Sequence, residues 1–109
     1  MFHMLTTFDL KPGVSIDDFR EYLSRFTVHL READLVESTG SVGRRQRHEI
    51  MDTDSERNHE YCFTVSFRDR AQCDLAVEHV LRHEEPTESI HGAVYSRVYS
   101  PIFTCWEDL

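Results

Sequence analysis

Tyr61-Cys62-Phe63-Thr64-Val65-Ser66-Phe67-Arg68-Asp69 is the stretch that decides the fold. Large apolar side chains alternate with small ones, the period-2 pattern of a strand with one buried face. Tyr61, Phe63, Val65 and Phe67 share that face, and Cys62, Thr64 and Ser66 share the other. Asp69 ends the alternation and reads as a helix N-cap, with Gln72 at the capping-box position. Beyond it, Cys73, Ala76, Val77, Val80 and Leu81 form the seam of a helix that should end near His83, ahead of Pro86.

A second strand–helix unit opens the chain. Residues 2–10 predict a strand with Phe2, Met4, Thr6 and Phe8 on one face. His3, Leu5, Thr7 and Asp9 take the other. Lys11-Pro12-Gly13 marks a turn. Ser15 then caps a helix over 16–33, with Asp17 and Asp18 in the first turn, where the helix dipole favours acids. Phe19, Tyr22, Leu23, Phe26, Leu30 and Ala33 make its apolar stripe, and Glu21 and Arg25 pair on the wet side. Residues 41–49 predict a polar edge strand, where Arg44, Arg45 and Arg47 discourage further pairing. Residues 51–58 read as a loop. Residues 93–100 predict the last strand, Val94, Ser96 and Val98 alternating with Tyr95, Arg97 and Tyr99. After Pro101 the tail either continues that strand or leaves it.

The expected order is therefore βαββαβ, an α+β chain of the ferredoxin-like kind forming a single domain over residues 1–109. Four antiparallel strands carry two helices on one face. The other face is left bare, with His3, Leu5, Thr7, Cys62, Thr64 and Ser66, plus Tyr95, Arg97 and Tyr99 from the last strand. That mixture is too apolar for solvent and too polar for a deep core. A homodimer packed through the open sheet face would cover it, leaving a cavity between the sheets.

Composition narrows the function. Twenty acids against twelve bases give a net charge of −8, which disfavours nucleic acid and anionic membranes as partners. No apolar run approaches the ~20 residues of a membrane span, and MFHMLTTFDL lacks the basic start of a signal peptide. Three cysteines without CxxC spacing argue against a disulfide framework and for a cytoplasmic location. No Gly-rich phosphate loop occurs. Only 39% of residues are hydrophobic, a thin share that fits a half-covered sheet.

Phe8-Asp9-Leu10-Lys11-Pro12-Gly13-Val14-Ser15, followed by Phe19, resembles the first strand, turn and helix start of the stress-responsive α/β-barrel proteins of the dimeric α+β barrel superfamily. Tyr61 to Phe67, leading into Asp69, is similar to that family's third strand and second helix. The family's second helix commonly ends in His-Pro-x-His, where this chain has His83-Glu84-Glu85-Pro86. The resemblance implies a dimeric barrel. It leaves activity open, because the superfamily spans monooxygenases, haem-degrading enzymes, cyclases, isomerases and proteins of no known activity.

Candidate chemistry starts from His3, Arg97 and Tyr95. The topology makes the first and last strands neighbours, so His3 would move a proton while Arg97 binds an anion, with Tyr95 beside it. Thr7, His59, Tyr61 and Tyr99 are the candidate ligand-binding residues around that cavity. The plainer reading makes His3 a terminal residue and Arg97 an interface ion-pair partner. His79 and His83 have the i,i+4 spacing of metal ligands but read as a solvated helix end, so no metal is expected. No cofactor is expected either, since Trp106 has no Asn–Trp–His constellation for haem around it. Two functions follow: binding or transformation of a small acidic or phenolic molecule, or a non-enzymatic, stress-linked dimeric protein with no ligand site.

Overall fold

In the computed structural model, which describes residues 1–109, strand β1 (Phe2–Leu10) is central and antiparallel to both its neighbours. One is β4 (Tyr61–Phe67), in the register Phe2↔Phe67 to Phe8↔Tyr61. The other is the last strand, β5 (Val98–Glu107). Two short pieces, β2 (Ser38–Thr39) and β3 (Gly43–Arg44), add to the far edge of β4. The sheet is thus α+β and ferredoxin-like in its strand order, with three helices where two were expected.

Helix α1 (Ile16–Glu32) starts where Ser15 Oγ accepts the amides of Asp17 and Asp18. Helix α2 (Arg70–Leu81) starts where Asp69 accepts the Gln72 amide, while Gln72 Oε1 accepts the amide of Arg68. A third helix, α3 (Thr87–Tyr95), packs against both. Phe8, fully buried, anchors the layer between sheet and helices. Its ring centroid lies 4.9 Å from Phe19, 5.8 Å from Tyr61 and 5.7 Å from Phe63. No helix is long and apolar enough to cross a membrane.

Two expectations need correction. Over 41–49 only Gly43 and Arg44 pair as strand. The backbone leaves β4 there because Arg45 is pulled into the following loop, its guanidinium gripping both Asp52 oxygens at 2.6 and 2.7 Å. Over 93–100, α3 takes residues to Tyr95 and the strand begins only at Val98. Val94 and Val98 fit both period 2 and the i,i+4 spacing of a helix, and Thr87, Ile90 and Val94 extend the helical reading upstream. Burial follows the helical pattern: Thr87 and Val94 are buried on α3 and Ile90 packs on the core. Tyr95 is consequently a helix residue and Arg97 lies in the helix–strand connection.

The last strand then continues through Pro101, which has no amide to donate; β5 is an edge strand, where that loss is tolerated. Pairing places Ile102 beside Thr7, Thr104 beside Leu5 and Trp106 beside His3. These three, in place of Tyr95 and Arg97, complete the open face with Cys62, Thr64 and Ser66.

Candidate functional site

The larger cavity of the chain lies on the helix-covered side of the sheet and measures about 370 Å³. Met4, Phe63, Val65 and Phe67 form its floor, and α1 and α2 supply its aliphatic walls. Of its 17 lining residues 14 are hydrophobic, so the few polar groups stand out. Two of them come from consecutive turns of α3. His91 and Tyr95 have ring centroids 4.8 Å apart with planes tilted by 35°, and lie between Phe26 on one side and Phe103 on the other. Burial pushes the Tyr95 phenol up to about 12, with no hydrogen bond opposing it. Burial also lowers the His91 imidazole, outweighing the pull of Glu88. Near neutral pH the pair is therefore an uncharged phenol donor beside an uncharged base.

A smaller cavity, about 250 Å³, sits at the end of the sheet under the 45–58 loop. It gathers three of the sequence-predicted ligand residues, Thr7, His59 and Tyr61, with Cys62. Tyr99 is outside it, 62% exposed and paired with Asp9. The roof is an ion-pair lattice. Arg45 holds Asp52 and the carbonyls of Asp54 and Arg57. Asp54 accepts from Arg57 at 3.0 Å and from the amides of Glu56 and Arg57. Those contacts, the Arg57 side chain foremost, bring the Asp54 carboxyl down to about 2. The Arg45 hydrogen bond likewise lowers Asp52.

His3 lies on the open face, as predicted, but with different partners. Its Nδ1 is 2.8 Å from Ser66 Oγ and its Nε2 is 3.0 Å from Asp108, and the ring stacks on Trp106 at 5.0 Å. The His3 contact lowers the Asp108 carboxyl. Arg97 is elsewhere: its guanidinium lies 3.9 Å over the Tyr22 ring of α1, and its carbonyl accepts the Lys11 amide. Eight residues of strand separate Lys11 from His3, about 26 Å at ~3.3 Å each. His3, Arg97 and Tyr95 thus do not meet within one chain, because the segment carrying the last two folds as helix and connection. His79 and His83 also part company, His79 bonding Thr87 at 2.8 Å and His83 meeting Glu88 at 2.8 Å.

The model of a family described as a family of unknown function, DUF6614, matches residues 1–108. The chain belongs to that family. Solved structures extend the comparison beyond DUF6614. A protein of Arabidopsis thaliana superposes with a TM-score of 0.76 at 8% identity, covering 100% of this chain and 96% of the other. A dimeric ferredoxin-like protein of unknown function from Jannaschia gives 0.64 at 15%, covering 98% of each. The hydroxynitrile lyase of Passiflora edulis gives 0.64 at 8%, covering 96% and 90%. At these identities the likeness shows the fold alone. No curated protein matches the chain.

Sequence reasoning missed His91 altogether. Its signal was available: His91 and Tyr95 are i,i+4, and Thr87, Ile90 and Val94 are spaced for the buried side of a helix. Ser66 and Asp108 beside His3 were not foreseeable, since strand register and tail path decide that contact.

Proposed function

We propose that the chain binds a small, largely apolar organic molecule in the helix-side cavity, with Tyr95 donating to the molecule's polar group and His91 accepting from it. One observation carries this reading: an apolar space of about 370 Å³ into which a largely buried phenol, raised to about 12 by desolvation alone, contributes a hydroxyl that makes no hydrogen bond to the protein. A ligand acceptor would give that hydroxyl a hydrogen bond worth about 0.5–1.5 kcal/mol net. A phenol or a carbonyl compound suits the site better than a strong acid, because no cationic side chain lines it. The two uncharged rings also equip it for proton transfer. The similar fold of the Passiflora edulis hydroxynitrile lyase is in keeping with small-molecule chemistry on this scaffold.

The same proposal includes a homodimer joined through the open face. Leu5 at the centre and Ile102 and Trp106 along the β5 edge give that face its apolar character, and solved dimeric ferredoxin-like structures support the arrangement. The ligand reading is tested by titrating a series of small phenols and following the Tyr95 and His91 ring signals by NMR. Saturable shifts are expected, together with a rise in thermal stability set by RT ln(1 + [L]/Kd). A Cys73→Phe variant, which fills the space, should abolish both. Equal binding by folded Cys73→Phe protein would refute the site.

A further inference from the structure

The loop-covered cavity holds a group the reading above does not use. His59 is only 8% exposed, and its Nε2 donates to the Ser100 carbonyl at 2.6 Å. Ser100 is not part of the cavity lining, so that bond is made away from it. Nδ1 is buried and has no partner. With the proton on Nε2, Nδ1 of the neutral ring is a pure acceptor, and a buried acceptor without a donor is costly. Beside it, Arg45 is saturated by two contacts to the Asp52 carboxylate and one each to the Asp54 and Arg57 carbonyls, and so serves to hold the loop. Arg57 is different. Its Nη1 meets Asp54, and the other edge of the fork is not used by the protein. Thr7 and Cys62 are short side chains and leave room at the floor.

We propose that this cavity is a second binding site, for a small hydroxycarboxylate whose hydroxyl donates to His59 Nδ1 and whose carboxylate meets the open edge of Arg57. The two lining arginines are balanced by Asp52 and Asp54, so the attraction for an anion is local to one guanidinium edge. Affinity should accordingly be modest, about millimolar. Selectivity should exceed it, because a site with a buried acceptor rejects a ligand lacking the matching donor.

A matched series with one carbon skeleton tests this: lactate, propionate and alanine, titrated into the full-length protein, with the His59 ring nitrogens observed by 15N NMR. Lactate should bind saturably and shift Nδ1. Propionate, which lacks the donor, should bind at least about tenfold more weakly. Alanine tests whether an ammonium serves as the donor, and its binding as well as lactate would overturn the class proposed. His59→Gln keeps a donor for the Ser100 carbonyl but displaces the acceptor from the Nδ1 position, so lactate should fall to the propionate level. Arg57→Gln should weaken lactate and propionate alike. If His59→Gln does not fold, the lactate-to-propionate ratio in the wild-type protein still decides. No binding of any probe, equal binding of lactate and propionate, or shifts at Tyr95 and His91 in place of His59 would each refute the proposal. The last outcome would leave the helix-side site standing.

Discussion

Replacing Tyr95 by phenylalanine removes one oxygen from the helix-side cavity and should change how the fold responds to base. In the folded chain the phenol titrates at about 12, against an ordinary value of 10, because burial disfavours phenolate. The folded value is the raised one. Stability tied to the neutral phenol is therefore fully present below pH 10 and is lost as pH rises through 12. Two units at 1.36 kcal/mol each set a ceiling of about 2.7 kcal/mol on that loss. Phenylalanine cannot ionise and forfeits none of it. At pH 7 the variant should be no less stable than the wild type, because the hydroxyl it lacks has no hydrogen bond to lose. Urea unfolding of both proteins from pH 8 to 12 gives the comparison. The wild type should lose up to about 2.7 kcal/mol more than the variant across the alkaline range. Parallel losses in the two proteins would refute the burial of the phenol. So would a variant destabilised by more than about 1 kcal/mol at pH 7, which would mean that the hydroxyl is bonded.

Other outcomes follow from the same structure. Phe8→Ala empties the centre of an aromatic cluster and should cost about 3–5 kcal/mol, read as a fall in urea midpoint. Asp54 titrates at about 2 against 3.8, a lowered value, so its contribution is present above pH 3.8 and lost as pH falls towards 2. Amide protection in the 45–58 loop, measured against the intrinsic rate at each pH, should fall over that window before protection in the sheet does. Leu5→Arg places a charge at the middle of the open face and should convert the proposed dimer to monomer, as measured by light scattering.

Legibility in the sequence tracked how local the deciding physics was. β1, α1, β4 and α2 were readable because period, cap and turn chemistry agree within each segment, as Ser15 and Asp69 show. The 41–49 segment was misread because a side-chain pair across the following loop, Arg45 with Asp52, leaves no mark in the residue pattern and overrides a weak strand signal. The 93–100 segment was misread because Val94 and Val98 satisfy two periods at once. That error carried Tyr95 and Arg97 onto the wrong element and hid His91. Thr7, His59 and Tyr61 do meet, because β1 and β4 pair and their register brings Thr7 to Cys62.

The edges of the sheet bear on how copies of this chain meet. Beyond β4 the ladder holds only Ser38–Thr39 and Gly43–Arg44, with the Gly40 amide bonding Thr64 between them, so an incoming strand finds its hydrogen-bonding positions occupied by two brief stitches. Along β5, Pro101 offers no amide and Ser100 is turned to a φ of 53°, which breaks the regular row of donors. Ribbon growth by strand addition is thereby obstructed at both ends, and the face is the surface left for self-recognition. A face-to-face pair consumes that surface on each copy. If copies pair as proposed, assembly would terminate at two, and the irregular backbone at the sheet edges would oppose running on into fibres.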